Sequence, residues 1–203
     1  MARHDNFINP ESSFRIRSRG RLPHWELDNA YYSITIRLDD AIPRKTLADL
    51  QGERARAISR ASTDAERRAI DRMFDVRLDY FADQGYGECH LARPEAAAIV
   101  ERALWHFNEE RYTLCAFAVM PNHVHLLLCL FRGGDLAGVM HSLKSFTSNK
   151  INEQAGRAGR LWEREYRDRI VRDERDLEET RSYILDNPRK AGLEGWRWVW
   201  PSE

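Results

Sequence analysis

Two histidines separated by one residue are the pair best placed to do chemistry in this chain. His123 and His125 directly follow Met120-Pro121-Asn122, at the junction of two apolar runs. Side chains alternate between the two faces of an extended strand, so both imidazoles are predicted to point to the same side of a sheet. Imidazole binds Mn²⁺, Zn²⁺ and similar ions well, and two histidines leave coordination positions open for substrate oxygens. The spacing therefore predicts half of a divalent-metal site.

A helix predicted near the C-terminus offers the other half of the site. Tyr183 and Asn187 are four positions apart, which places them on one helical face, about one turn from each other. The tyrosine is a candidate nucleophile, and the carbonyl oxygen of Asn187 is a candidate third metal ligand. The alternative is that Tyr183 packs against the sheet and that Asn187 caps the helix before Pro188.

The chemistry that suits a tyrosine beside a metal ion is attack on a phosphodiester. A phenol is a poor nucleophile at its ordinary pKa of ~10, so it needs a nearby cation or a polarised substrate. A divalent ion on a non-bridging phosphate oxygen offsets the charge that develops in the transition state. Attack by Tyr183 would leave a covalent phosphotyrosine. Tyr166 is the rival nucleophile, but no residue of metal-binding type lies one helical turn beyond it.

The three cysteines argue against both a disulfide framework and a zinc site. Cys89, Cys115 and Cys129 are odd in number and lack CxxC spacing, which is typical of a reducing compartment. Cys129 shares the predicted face of the two histidines, so a structural zinc site is the alternative for them. At ~3.3 Å per residue, however, Cys129 lies too far along the strand to complete a compact site with both.

Length and charge set broad limits on the protein. A chain of 203 residues suits one domain, and 32 basic residues balance 32 acidic residues, so any nucleic-acid surface must be local. The N-terminus has no apolar signal region, and no stretch is long enough to span a bilayer. We expect a cytoplasmic protein without membrane contact.

The order of predicted elements indicates an α+β fold. Residues 30–38 are rich in β-branched and aromatic types and predict a strand. The charged segment 44–84 predicts a helical insertion after this first strand, with an N-terminal cap at Ser62-Thr63-Asp64. A further helix is predicted after Pro94-Glu95.

The second half of the chain continues the mixed pattern. Residues 113–120 and 123–130 predict an antiparallel hairpin, and a helix from about residue 136 to 152 follows. The last helix is predicted to begin near Asp173 and to end at Asn187-Pro188, because a residue before proline disfavours helical geometry. Strands and helices mixed in this way favour an antiparallel sheet backed by helices.

Two basic segments are candidates for DNA binding. In the N-terminal arm, residues 1–23, arginines at alternate positions would present their guanidinium groups on one face and follow a phosphate backbone. A region from Lys144 to Arg172 combines basic and aromatic side chains that could contact phosphates and stack on unpaired bases. The alternatives are a solvated arm and an ordinary charged helix and loop. The DNA-binding candidates are Arg15, Arg17, Arg19, Arg21, Lys144, Lys150, Arg164, Tyr166 and Arg167.

These residues together resemble a known family. Residues 117–127 (FAVMPNHVHLL) and 183–193 (YILDNPRKAGL) resemble the single-tyrosine transposases of the HUH superfamily. Within that superfamily the chain is most similar to the REP-associated tyrosine transposases of bacteria, which residues 20–25, 85–91 and 162–166 also fit. The resemblance runs from about residue 14 to residue 200.

The resemblance implies a ferredoxin-like antiparallel sheet with packed helices in a single domain, residues 1–203. It implies cleavage and rejoining of single-stranded DNA at palindromic hairpins through a 5′-phosphotyrosine, with Mg²⁺ or Mn²⁺ as cofactor, by a monomer or homodimer. By position, His123 and His125 become metal ligands and Tyr183 the nucleophile. Asn187 stands where many HUH enzymes have a glutamine as third ligand, which leaves the third ligand open.

Two other functions are weighed against a transposase. One is a domesticated protein that binds DNA hairpins without cutting them, although the intact histidines and tyrosine argue against decay of the site. The other is a plasmid relaxase or replication initiator of the same superfamily. The short chain and the lack of an ATPase-type glycine-rich loop disfavour this last function.

Overall fold

The computed structural model describes residues 15–18, 23–27 and 29–201. A 3₁₀ turn at His90–Ala92 precedes the third helix. The strands and helices are, in chain order, β1 (Arg15–Ser18), β2 (Pro23–Glu26), β3 (Tyr31–Arg37), α1 (Arg44–Arg60), α2 (Asp64–Asp83), α3 (Pro94–His106), β4 (Tyr112–Val119), β5 (His123–Leu130), α4 (Leu136–Ala155), β6 (Arg167–Ile170), α5 (Glu174–Lys190) and β7 (Val199–Trp200).

A five-stranded antiparallel sheet forms the centre of the molecule, in the spatial order β6-β3-β5-β4-β7. The elements β3, α3, β4, β5, α4 and β6 follow one another in the βαββαβ order of a ferredoxin-like fold, apart from the α1–α2 insertion. Within this unit the strands lie in the spatial order fourth, first, third, second, and β7 adds an edge. The predicted α+β fold, with a helical insertion after the first core strand, is confirmed.

The central strand β5 is buried along its whole length and separates two apolar layers. Val124 and Leu126 belong to the large core that also contains residues of α3 and α4. Leu127 belongs to a second cluster on the opposite face, with Ile184 of α5. His123 and His125 alternate with Val124 and therefore share the face of Leu127, the side that α5 covers.

Helix α5 continues past its predicted end. It runs through Pro188 to Lys190, whereas the sequence rule for a residue before proline placed the end at Asn187. Proline removes only one helical hydrogen bond, and in the last turn of a helix that loss is tolerated. The N–H of Ala191 donates to the carbonyl of Asn187 beyond the proline. Tyr183 and Asn187 consequently lie in continuous helix.

The inserted helices α1 and α2 have a small core of their own and a strong start signal. Leu50, Phe74 and Leu78 are buried in this core, with Ile42. The Thr63 side chain accepts a hydrogen bond from the N–H of Glu66, whose carboxylate accepts in return, and this capping box fixes the beginning of α2. Within the described residues, no helix is both long and apolar enough to cross a bilayer.

Candidate active site

The two histidines of β5 meet at the face covered by α5. Both side chains are buried, and their Nε2 atoms lie 3.0 Å apart. The ring planes are nearly perpendicular, at 84°, with 4.7 Å between the ring centroids. The structure thus brings together the pair that the sequence singled out, with the two Nε2 atoms within hydrogen-bond distance of each other.

Asn122 fixes the orientation and tautomer of His123. Its amide nitrogen donates to the carbonyl oxygens of Ala82, at 2.9 Å, and Tyr86, at 3.0 Å. The amide oxygen of Asn122 therefore faces His123 Nδ1, at 2.8 Å, and must accept its proton. This leaves the lone pair of His123 on Nε2, the arrangement that metal-binding histidines use. The sequence alone indicates for Asn122 only a position in the turn between the two predicted strands.

Both imidazoles are held in their neutral form. Burial lowers the pKa of His123 well below its usual range, and the neighbouring His125 and the Arg37 guanidinium lower it further. Burial also lowers the pKa of His125, whose Nδ1 lies 3.1 Å from the Thr35 hydroxyl. Metal ions bind the neutral imidazole, so these histidines can act as ligands without first losing a proton at neutral pH.

Tyr183 reaches the histidine pair from α5. Its ring centroid lies 5.5 Å from that of His125, and the two planes are nearly perpendicular. The Tyr183 hydroxyl donates to Asp79 Oδ2, at 3.3 Å, and makes a side-chain hydrogen bond with Asn187. Burial and the carboxylates of Asp79 and Asp83 raise the pKa of Tyr183 above its ordinary value. The phenol is therefore protonated at neutral pH and needs a proton acceptor in order to attack.

Helix α2 lines this site with carboxylates that the sequence interpretation missed. Four aspartates recur at every fourth position, which places them along one face of the helix. Asp83 Oδ1 lies 3.5 Å from His123 Nε2, and Asp79 contacts the Tyr183 hydroxyl. The four-residue spacing was a signal present in the sequence, although such a stripe is more often a solvated helix face. The aspartates are Asp71, Asp75, Asp79 and Asp83.

The residues present fit a divalent cation. Asn187 is 1 % exposed, and its Oδ1 is buried without a hydrogen-bond partner, as is Asp83 Oδ1. Buried oxygen acceptors without donors, beside two neutral imidazoles, are suitable ligands for such an ion. In the described part of the chain no three His, Cys, Asp or Glu side chains already converge as metal ligands. A third ligand must therefore be Asn187 or a carboxylate that changes rotamer.

Three of the DNA-binding candidates are engaged within the protein. Lys144 Nζ donates to the carbonyl oxygens of Glu163 and Arg164, at 2.7 and 2.9 Å, and burial lowers the pKa of Lys144 to about 8. Arg167 forms a close ion pair with Asp75. Lys150 pairs with Glu153 on the surface. These contacts tie α4 to the loop before β6, and β6 to α2, and they lower the number of cations available to a ligand.

Other DNA-binding candidates lie around a groove or in the N-terminal ribbon. Arg164 is exposed, and it lines a groove of about 550 Å³ together with Lys144 and Tyr166. Arg15 and Arg17 lie on β1, in register with Glu26 and His24 of β2, so the predicted extended conformation is found at residues 15–18. Arg19 and Arg21 lie outside the described residues.

The comparisons with known proteins agree with this geometry. Residues 96–187 match the family model described as "Transposase IS200 like", and this span contains the histidine pair, Tyr183 and Asn187. The resemblance to REP-associated tyrosine transposases that the motifs indicated is thereby confirmed.

A curated relative and a solved structure are also similar to this chain. A protein of Haemophilus influenzae named "Putative REP-associated tyrosine transposase" is 28 % identical over 97 residues, which cover 43 % of this chain and 53 % of that protein. The chain thus spans about half the length of this curated relative. A solved structure of a REP-associated tyrosine transposase bound to a REP hairpin matches with a TM-score of 0.51 and 15 % identity, covering 90 % of this chain and 82 % of that one. At this identity the match shows the fold.

Proposed function

We propose that this protein is a metal-dependent single-stranded DNA endonuclease and strand transferase that acts at palindromic hairpins. The observation that carries the proposal is the position of Tyr183, whose ring contacts His125 and whose hydroxyl is held by Asp79 and Asn187. The IS200-like domain and the hairpin bound to the structural relative support the choice of DNA hairpins as substrate.

In the cleavage step Tyr183 is the nucleophile and Asp79 the proton acceptor. As the phenol oxygen attacks phosphorus, its proton passes to the Asp79 carboxylate that already accepts its hydrogen bond. The new bond joins Tyr183 to the 5′-phosphate, and the bond from phosphorus to the 3′ oxygen breaks. The departing 3′ oxygen takes a proton from solvent and leaves as a hydroxyl.

Rejoining is the same step in reverse. A 3′ hydroxyl of another strand attacks phosphorus and releases its proton to solvent. The bond from phosphorus to Tyr183 breaks, and Asp79 returns its proton to the Tyr183 oxygen. The number of phosphoester bonds is unchanged, so no nucleotide hydrolysis is needed. Asn187 keeps the phenol oxygen in place through both directions of the reaction.

His123 and His125 would hold Mg²⁺ or Mn²⁺ together with an oxygen ligand, for which Asn187 is one candidate. The chemistry that such an ion supplies is positive charge at a non-bridging phosphate oxygen. The neutral imidazoles of this site favour Mn²⁺ over Mg²⁺.

The groove beside α4 is our candidate for the hairpin. Exposed Arg164 can contact phosphates, and Tyr166 at the same groove can stack on an unpaired base. The arginines at positions 15, 17, 19 and 21 remain predicted phosphate contacts. We further propose that the protein acts in the cytoplasm, as a monomer or homodimer. Its cysteines are free thiols, as expected in a reducing compartment.

The test is formation of a covalent adduct. Wild-type protein is mixed with Mn²⁺ and an end-labelled single strand that carries a hairpin, and the products are separated under denaturing conditions. We expect a labelled protein band that is absent in Tyr183→Phe and retained in Tyr166→Phe, the matched control. An adduct that survives Tyr183→Phe overturns the nucleophile. Tight hairpin binding without any adduct in Mn²⁺ favours the non-cleaving alternative.

A further inference from the structure

We propose that Asp83, on the inserted helix α2, is the carboxylate ligand that completes the metal site of His123 and His125. The inference rests on the proposed function of that site and names a ligand outside the signature strand and helix. Its basis is the position of Asp83 Oδ1 against the histidine pair.

Two separations around His123 Nε2 suit ligands of one ion. The two Nε2 atoms are 3.0 Å apart, and Asp83 Oδ1 is 3.5 Å from His123 Nε2. At metal–ligand distances of about 2.1 Å, neighbouring ligand atoms lie about 3.0 to 3.4 Å from each other. The carboxylate oxygen therefore already lies close to a coordination distance from its neighbour.

Hydrogen bonding does not account for the position of this oxygen. Asp83 Oδ1 is buried and has no hydrogen-bond partner. The Nδ1 proton of His123 is donated to Asn122, and in the tautomer that this hydrogen bond fixes, Nε2 carries a lone pair and no proton to donate. Two lone-pair atoms that face each other in a buried site repel unless a cation or proton lies between them. A divalent cation satisfies both.

The negative charge of its side chain favours Asp83 over Asn187 as a ligand of a divalent ion. Two neutral imidazoles and an amide bring no negative charge to a buried divalent ion, whereas a carboxylate does. Lys190 does not neutralise Asp83 by an ion pair, because its Nζ pairs with Asp186 at 3.2 Å.

The fold fixes Asp83 relative to the histidines through one side chain. The Asn122 amide nitrogen bonds the carbonyl of Ala82, the residue directly before Asp83, while its oxygen orients His123. The end of α2 and the start of β5 are thus held together. Because Asp83 has only two side-chain torsions, a rotamer change suffices to bring its oxygen to a shared ion.

Direct measurement of metal binding tests the ligand. Mn²⁺ is titrated calorimetrically into the full chain as wild type, Asp83→Asn, Asp83→Cys and Asp71→Asn, with circular dichroism melts to verify folding. We expect Asp83→Asn to weaken Mn²⁺ binding at least about tenfold. Asp71→Asn, the control on the same helix face, should stay within about twofold because Asp71 pairs with Arg54. A thiolate at position 83 should shift the preference from Mn²⁺ to Cd²⁺.

The outcomes separate this inference from the proposed function. If His123→Ala abolishes Mn²⁺ binding while Asp83→Asn and Asp83→Cys bind as wild type does, the ligand is wrong and the metal-dependent function stands. If wild type binds no Mn²⁺, both proposals are overturned. If Asp83→Asn weakens binding but wild type forms no DNA adduct, the ligand is supported and the cleavage activity is overturned.

Discussion

Two regions of the molecule differ in the charge of their side chains and use it differently. Helix α2 presents its aspartates to the catalytic atoms, with Asp79 on the nucleophile and Asp83 beside a histidine. The groove next to α4 has basic side chains in its lining beside Glu163 and Glu165; of these, Lys144 is bonded to backbone carbonyls and Arg164 is exposed. The α2 aspartates, the acidic region, are suited to proton transfer and cation binding. The groove beside α4, the basic region, is suited to hydrogen bonds within the protein and to phosphate contact.

The proposed function requires a chain with no net charge to act on a polyanion, and local charge makes this feasible. Local fields of both signs are present, although the formal charges sum to zero. Burial and the neighbouring Asp79 raise the pKa of Asp83 to about 6, against the lowering effect of Lys190. Carboxylates in such a position are unfavourable next to DNA until a cation compensates them. Under the proposed function, the acidic region would link DNA cleavage to cation binding.

The largest effect is expected when the histidines beside the acidic region are removed. His123→Ala and His125→Ala should lower the rate of adduct formation by at least about 100-fold, because the loss of metal chemistry costs several kcal/mol of transition-state stabilisation. Hairpin affinity, measured by filter binding, should change less than about threefold if phosphate contacts dominate it. His106→Ala, at an exposed position, is the control. Equal losses of binding and cleavage would contradict the separation of the two regions.

The acidic region is tested next at Asp79. Asp79→Asn should slow adduct formation about 100-fold, as expected for loss of a general base, with hairpin binding unchanged or slightly tighter. The carboxylate raises the pKa of Tyr183, so its neutralisation should move that pKa back toward the ordinary value of ~10, which an ultraviolet titration of tyrosinate can follow. Asp71→Asn should leave both readouts unchanged. A purely structural Asp79 would slow cleavage without moving the tyrosine titration.

Local patterns were enough to predict part of this site. The histidine pair and the Tyr183 to Asn187 turn follow from strand and helix periodicity, which are properties of a few adjacent residues. The limits of α3 and the hairpin also lie close to their predicted positions, because Pro94 and Pro121-Asn122 give strong local signals.

The rest of the site depends on contacts between distant parts of the chain. Asp79 and Tyr183 are 104 positions apart, and nothing near either residue indicates the other. Asn122 has turn chemistry in the sequence, yet its catalytic importance comes from the end of α2 lying beside β5. Pro188 shows the converse. The local rule for a residue before proline predicts a helix end at Asn187, but the last turn of α5 tolerates the proline.

A substitution in the basic region should change the affinity for the hairpin and leave the rate of adduct formation unchanged. Arg164→Ala should weaken hairpin binding by about three- to tenfold and reduce the salt dependence of binding by about one phosphate contact. Lys150→Ala is the matched control, because that ammonium group already pairs with Glu153. Binding is measured across a series of salt concentrations, and the adduct rate at saturating protein should remain that of wild type. An unchanged salt slope would exclude Arg164 as a phosphate contact.

The smallest effect is expected at the far end of α2, where only the stability of the acidic region is tested. Thr63→Ala removes the side-chain acceptor of the capping box and should cost about 1 kcal/mol, a fall in Tm of roughly 2 to 4 °C for a domain of this size. Ser62→Ala is the control, since Ser62 contributes its backbone N–H to Glu66 and keeps that bond after substitution.

The Thr63→Ala protein also shows whether the insertion acts as a separate unit. Thr63 lies at the opposite end of α2 from Asp83, and the Asn122 amide holds the catalytic end. If the Asn122 hydrogen bond fixes the position of the α2 end, the rate of adduct formation should stay within about twofold of wild type at 25 °C despite the lower Tm. A loss of about 1 kcal/mol leaves a stable domain largely folded. A rate that falls in parallel with stability would mean that α2 unfolds locally. The acidic region would then be assembled only when the whole insertion is folded.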